Sequence, residues 1–323
     1  MREKILNELY RQEEGYISGS EMAERLGITR VAVWKHIEAL KAEGYDIEAV
    51  SGRGYVLKNK KDVIVPAAVK EVLKTRIFGR NIIYYNCLDS TNEEAKRILK
   101  KNEIEEGTVI TALKQTSGRG RLQRRWESPV GGLWFSLVLH PILSVSEIAL
   151  LSLVFAAGLC NSLSKFLPDE CYIKWPNDVY YQDKKIAGIL LELNGEIDTT
   201  YYLIAGIGIN VNLREEDLPL AVRETATSLY IESGREHDIN RVLAEVLEGL
   251  ESCYLLFLEN GFAPILDKFK DRCMHLGKKV MVKRGERVIE GINEDIDLMG
   301  NMLINTGKEI IRVSTGDVSI IGL

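Results

Sequence analysis

Lys114, Arg119, Arg121, Arg124 and Arg125 crowd one short stretch, and no acidic residue occurs between Gly107 and Trp126. Guanidinium groups without acidic neighbours suit a phosphate or carboxylate, because each fork donates two parallel hydrogen bonds. Gly118 and Gly120 let the backbone approach such a ligand closely. The spacing is not G-x-x-x-x-G-K-[ST], so this is no Walker A loop. A nucleic-acid-binding or merely solvated basic loop is the plainer alternative. Such a loop need not run into Trp126 and then an apolar strand, Gly131 to Leu139, as this one does.

Further polar groups stand where apolar pattern stops. Tyr172-Ile-Lys-Trp-Pro-Asn-Asp reads as a strand halted by Pro176, leaving Asn177 and Asp178 at its end. Oxygen ligands at a strand end suit a magnesium ion carried by a nucleotide, although most Asn-Asp pairs are only turns. Lys185 opens an otherwise apolar strand of a hairpin. It is either a solvated edge charge or, turned inward, a cation that needs an anionic partner. Asp89-Ser-Thr-Asn follows a strand from Asn81 and precedes a helix beginning near Glu93. Ser90 or Thr91 caps that helix, and helix N-termini also offer free N–H groups to ligands. Tyr201 to Asn212 reads as a strand that ends at Asn210, with Gly206 and Gly208 inside it. Interior strand glycines cost stability and often mark close ligand approach.

These groups need a scaffold. The strands at 107–113 and 131–139, with an apolar helix at 148–160 behind them, supply a core for the middle of the chain. Ahead of it, Ile5, Leu6, Leu9 and Tyr10 have helical spacing, and Ser18 to Leu40 repeats that spacing with a break at Gly27. Ser20 caps the first of these two helices and Thr29 the second. Ala23 allows close packing, Gly27 turns the chain, and Val33, Ile37 and Leu40 face the core, the constraints of a DNA-binding helix-turn-helix. Two short strands around Ser51-Gly-Arg-Gly make a wing with Arg53 at its tip. The candidate DNA-binding set is Ser20, Thr29, Arg30, Val33, Lys35, His36 and Arg53; a helical interaction module with solvated charges is the alternative. Residues 58–65 read as a linker. From Gly277 onward, five short strands with turns argue for a small all-β barrel.

Composition bounds the rest. At 323 residues, 46% hydrophobic and 28% charged, the chain suits a soluble globular protein of two or three domains. The longest apolar run, Ile148 to Cys160, falls short of the roughly 20 residues that cross a bilayer. The N-terminus lacks a signal-like apolar segment, which predicts a cytoplasmic protein with no membrane partner. Five cysteines without a C-x-x-C pair and four scattered histidines argue against a disulfide framework or a structural zinc. The net charge of −5 lies wholly in the middle of the chain, since 1–65 carries 11 basic and 11 acidic residues and 274–323 carries 7 of each. The basic loop therefore interrupts an acidic domain.

Taken in order, Asp89-Ser-Thr-Asn, Gly118-Arg-Gly-Arg with Arg124 and Trp126, Lys174-Trp-Pro-Asn-Asp, Lys185-Ile-Ala-Gly-Ile-Leu-Leu-Glu and Gly206-Ile-Gly-Ile-Asn resemble the biotin protein ligases. The match is to the bifunctional bacterial type that also represses the biotin operon. It covers nearly the whole chain, including the winged helix and the C-terminal barrel. The resemblance implies an α+β protein with three parts. These are a winged helix-turn-helix over 1–65, a mixed sheet like that of class II aminoacyl-tRNA synthetases over 66–273, and an SH3-like barrel over 274–323.

It implies that biotin and ATP give biotinyl-5′-AMP, and that the biotinyl group passes to a lysine of a biotin carboxyl carrier protein domain. It also implies that the adenylate-bound protein dimerises and binds operator DNA. By motif position, Ser90, Thr91, Asn92, Gln115, Arg119, Gly120, Arg121, Lys185 and Gly188 would contact biotin. Arg121, Arg124, Trp126, Asn177, Asp178 and Asn210 would contact ATP, with Asp178 toward Mg2+. Arg121 and Lys185 are the candidate catalytic cations. Leu122 and Gln123 stand where some relatives carry Arg-Gly, so they inherit no role. The competing readings are a transcription factor that only senses a small ligand, and a lipoate ligase. The intact arginine loop and Lys185 favour the biotin enzyme.

Overall fold

The computed structural model describes residues 1–12, 15–101, 103–194 and 202–321. The chain begins with α1 (Arg2–Arg11), α2 (Gly19–Leu26) and α3 (Arg30–Ala42), followed by the hairpin β1 (Ile47–Val50) and β2 (Gly54–Leu57). Ser18, not Ser20, caps α2, accepting a hydrogen bond from the Glu21 N–H at 3.1 Å. The cap must precede the first helical residue, and here that residue is Gly19, so Ser20 already lies within the turn. Thr29 caps α3 as its position predicts, and Gly27 closes α2 in the left-handed region at φ 65°.

The segment 58–65 is no free linker. Val63, Ile64 and Val65 are buried, and the Val65 N–H donates to Asn240 Oδ1 at 2.7 Å. Apolar β-branched residues at its end gain more from burial than a solvated tether would.

The middle of the chain runs through α4 (Pro66–Val72), β3 (Ile82–Leu88), α5 (Thr91–Leu99), β4 (Val109–Gln115), β5 (Gly132–Leu139) and α6 (Val145–Ser164). It continues with β6 (Cys171–Lys174), β7 (Asp178–Tyr181), β8 (Lys184–Asn194), β9 (Tyr202–Asn210), α7 (Leu229–Ser233), α8 (Ile239–Asn260) and α9 (Ala263–Arg272). Tyr201, where the predicted β9 begins, lies outside the described residues. The strands form one sheet in the order β3-β4-β5-β9-β8-β7-β6, in which only the β3–β4 pair is parallel.

Strand alternation divides this sheet into two faces. Leu133, Phe135, Leu137 and Leu139 of β5, with Leu203, Ala205, Ile207 and Ile209 of β9, face the core that holds α6 and α8. Helix α6 is longer than the apolar run predicted and long enough to span a bilayer, but most of it is buried in that core. The opposite face carries Val138 and Ile204 under α5. It also carries Gly188 of β8 and Gly206 and Gly208 of β9, over which side chains of other elements pack.

The last part is β10 (Lys279–Arg284), β11 (Arg287–Ile296), β12 (Met302–Asn305), β13 (Ile310–Val313) and β14 (Asp317–Ile320). These strands pair antiparallel in the order β13-β12-β11-β10-β14. The apolar side of this sheet is continuous with the central core, and Trp175 Nε1 donates to the Gly300 carbonyl at 2.9 Å.

Candidate active site

The glycines make the space. Gly188 of β8 pairs with Gly208 of β9, and Gly206 pairs with Leu190. A methyl at Gly206 would sit 2.4 Å from Asn92 Oδ1, and one at Gly208 would sit 2.6 Å from Trp126 Nε1. Both positions must lack a side chain for α5 and the basic loop to lie against the sheet. They line a cleft of about 440 Å³, together with every residue the motifs assigned to biotin or ATP.

At the end of the cleft formed by β3 and α5, Ser90 takes the N-cap position of α5, yet its hydroxyl makes no capping bond. The helix starts at Thr91, two residues before the predicted Glu93. The Thr91 N–H donates to Gln115 Oε1 at 2.8 Å, and Gln115 Nε2 donates to Ser128 Oγ at 2.8 Å, which fixes the amide at the end of β4. The Ser136 hydroxyl lies 2.7 Å from Thr91 Oγ1 and 2.5 Å from Asn92 Oδ1. Asn92 Nδ2 in turn donates to Glu192 Oε2 at 2.6 Å. Ser90, Thr91 and Asn92 are all buried, and Thr91, Asn92, Gln115 and Ser136 hold one another through these bonds.

Charge gathers at the other end. Lys185 turns inward, with Nζ 2.7 Å from Asp178 Oδ2 and 4.9 Å from the Trp126 ring centre. Its anionic partner is therefore the Asp178 carboxylate. Asp178 Oδ1 and Trp126 Nε1 are buried without hydrogen-bond partners. Arg121 Nη1 donates to Asn177 Oδ1 at 2.8 Å, and Asn177 Nδ2 donates to the Ile189 carbonyl at 2.8 Å. Asn210 Nδ2 donates to the Thr227 carbonyl at 2.8 Å. Lys174, quoted within a motif but given no role, lies 3.5 Å from Tyr180 Oη, and burial pushes its ammonium pKa down.

The basic loop is a tight turn rather than an open chain. Arg119 bridges to Arg125, the Gly120 N–H donates to the Arg124 carbonyl at 2.8 Å, and Arg119 Nη1 donates to Glu93 Oε1 at 2.9 Å. Two groups of the C-terminal sheet reach this loop, and nothing in the sequence pointed to them. Asp317 forms an ion pair with Arg124, and Thr315 Oγ1 lies 3.4 Å from Arg121 Nη2. Nearly two hundred residues separate the partners, and only the docking of the sheet brings them together.

The predicted DNA-contacting residues all fall in the winged helix, remote in sequence from the cleft. Arg30, Lys35, Ser20 and Arg53 are exposed, and His36 is half-buried. Val33 is fully buried and cannot touch a ligand outside the domain. The helical period that places Arg30 and Lys35 outward turns Val33 in. The Arg53 guanidinium lies 4.6 Å from the Tyr16 ring centre.

A winged helix, a glycine-floored cleft with an arginine loop, and a C-terminal sheet define a ligase core joined to a DNA-binding head. The chain matches the HTH domain family over residues 2–56, the Biotin/lipoate A/B protein ligase family over 84–210, and the Biotin protein ligase C terminal domain over 275–320. It is 35% identical over 319 residues to the Bifunctional ligase/repressor BirA of Bacillus subtilis, covering 98% of each chain. It is 31% identical to the protein of the same description from Escherichia coli, covering 94% of this chain and 92% of that one. The solved biotin protein ligase of Aquifex aeolicus, in complex with biotin and ATP, superposes with a TM-score of 0.67 at 35% identity, covering 75% of this chain and 98% of that one. The chain belongs to the bifunctional ligase/repressor BirA family of biotin protein ligases.

Proposed function

We propose that the protein joins biotin to ATP, giving biotinyl-5′-AMP and pyrophosphate, and transfers the biotinyl group to a lysine of a biotin carboxyl carrier protein domain. With the adenylate as corepressor, it also represses the genes of biotin synthesis. The observation that carries this reading is the convergence on one cleft of residues from five separate motifs, in a chain whose relatives are bifunctional ligase/repressors.

The polar groups of Ser90, Thr91, Asn92 and Gln115 suit the ureido head of biotin, with Arg119, Gly120 and Gly188 along its tail. Arg124, Trp126, Asn177, Asp178 and Asn210 suit the nucleotide. A carboxylate oxygen of biotin attacks the α-phosphorus, and the bond to the departing pyrophosphate breaks. Two anions must meet, so positioning and the preorganised charges of Arg121 and Lys185 supply the rate. The carrier lysine then attacks the acyl carbon as its neutral amine, and AMP leaves. No side-chain nucleophile takes part. The unpartnered Asp178 Oδ1 fits a magnesium ion arriving with ATP, which Asp178 would hold and which would offset phosphate charge.

The wider assignments belong to the same reading. The parts are 1–65, 66–273 and 274–323, with a central sheet like that of class II aminoacyl-tRNA synthetases and an SH3-like C-terminal barrel. The five antiparallel strands of the latter support the barrel assignment. The adenylate-bound protein pairs as a homodimer on operator DNA in the cytoplasm.

Exchange of labelled pyrophosphate into ATP tests the ligase. Exchange that requires biotin is expected. No exchange with biotin sinks the assignment, and exchange with lipoate in its place would make the protein a lipoate ligase.

A further inference from the structure

The outer stripe of α3 is not purely polar. Arg30, Val31, Trp34, Lys35 and Glu38 share it, one helical turn apart in pairs, and Val31 is 63% and Trp34 53% exposed. Exposing an indole and a β-branched aliphatic side by side forfeits the gain of burying them, so such a pair on a small domain points to a covering partner. The cations around the pair identify its chemistry. Arg30 and Lys35 form no ion pair among the described residues, and Glu38 is occupied by Lys41 at 3.0 Å. Arg53, at the wing tip, is also exposed; its guanidinium rests on Tyr16, it makes no ion pair among the described residues, and its charge acts on Glu48. A stripe with an apolar centre and free cations around it complements a polyanion whose floor carries methyl groups. The major groove of DNA has that character, because each thymine presents its C5-methyl there between two rows of phosphates.

Resting on the DNA-binding reading above, we propose that Val31 and Trp34 are sequence-reading residues that pack on thymine methyl groups in the major groove, while Arg30 and Lys35 hold the flanking phosphates. The two roles separate by experiment. Apolar contact with a methyl gives base discrimination that is insensitive to salt. Phosphate contact gives affinity that is indifferent to sequence and falls with salt.

The test uses the full chain with biotin and ATP. A duplex is enriched from a randomised library by repeated capture on the protein, and each thymine is then replaced by deoxyuridine, which deletes only the methyl. Loss of one packed methyl should weaken binding about fourfold at one or more positions. Trp34→Ala or Val31→Ala should bind the parent duplex more weakly and no longer distinguish thymine from uracil there. Arg30→Ala should weaken all duplexes and lower the salt slope, yet keep that discrimination. Wild-type protein indifferent to every thymine-to-uracil change overturns the proposal, as does discrimination that survives in both apolar variants. Failure of the wild type to enrich any duplex is a different result, since it removes the DNA-binding reading itself and this proposal with it.

Discussion

Lys185 Nζ stands 2.7 Å from Asp178 Oδ2 with the Trp126 ring 4.9 Å away, so one ammonium ties the β7–β8 hairpin to the arginine loop. In β7 and β8, Asp178 lies opposite Gly188, and that glycine leaves the room into which the lysine turns. The pair is half-buried and lines the cleft.

Lys185→Gln removes the lysine's charge and leaves a polar side chain one atom shorter. The expected result is a fall in kcat for biotin-dependent pyrophosphate exchange of roughly a hundredfold or more, the usual cost of deleting a preorganised group that stabilises developing charge. The KM for biotin should change much less. Unchanged kcat would mean that Lys185 serves only to pair with Asp178.

Arg121 is oriented by Asn177 and touches Thr315, so it can close over a bound adenylate with little loss of freedom. Arg121→Gly should speed adenylate dissociation about tenfold or more, the worth of a charge-assisted hydrogen bond. Stopped-flow displacement with excess unlabelled adenylate measures it. An unchanged rate counts against a clamping role for the loop.

Gly206→Ala would bring a methyl within 2.4 Å of Asn92 Oδ1, whose amide is already held by Glu192 and whose oxygen is held by Ser136. The side chain has nowhere to swing without leaving a buried polar atom unpaired, which costs about 1–3 kcal/mol. We expect a raised KM for biotin and a lower Tm in the same variant. Wild-type values for both would show that β9 shifts freely.

His275 is fully buried near Lys174 and Lys278, and neither ring nitrogen has a hydrogen-bond partner. Burial first, and then those two cations, push its pKa down to about 3. In the unfolded chain the ring titrates near 6.5. Between these values the unfolded state binds a proton that the folded state refuses, so stability falls as pH drops through that window. Above about pH 6.5 the ring is neutral in both states and contributes no slope. Going from neutral pH to about pH 5 should cost on the order of 2 kcal/mol from this residue. Urea midpoints at the two pH values measure the loss, and His275→Gln should flatten it.

Removing residues 1–65 should abolish the gel shift with operator DNA and leave carrier biotinylation largely intact. The cut uncovers Tyr84, whose ring stacks on Tyr45 with centroids 4.9 Å apart. It also breaks the hydrogen bond from Tyr10 Oη to Asp238 Oδ2 at 2.5 Å. The cut also takes away the buried Val63, Ile64 and Val65 and leaves Asn240 Oδ1 without its Val65 donor, so the truncated enzyme is expected to melt earlier by more than the roughly 1 kcal/mol of the aromatic pair alone. A truncated protein that still retards the operator would refute the domain assignment.

Local order was legible in the chain because it depends on near neighbours. Thr29 and Gly27 mark helix ends, the five C-terminal strands fall where the pattern of short strands and turns put them, and the cluster of cations from Lys114 to Arg125 stands out by composition alone. The same local rules misplaced the cap of α2 by two residues and mistook the apolar end of 58–65 for a tether, because both depend on what the segment packs against.

Three decisions belonged to the tertiary structure. Lys185 was either an edge charge or an inward cation until Asp178 was set opposite its strand. Gly206 and Gly208 were weak evidence singly, and they acquired meaning only when Asn92 and Trp126 were laid over them. Asp317 and Thr315 carried no signal at all, since their partners Arg124 and Arg121 lie nearly two hundred residues away. The sequence determined which chemical groups exist and which face of each helix or strand they occupy, because those follow from covalent order and backbone period. Which charge meets which was decided by the packing of one sheet against another, a choice made by the whole buried core and not by any stretch of chain.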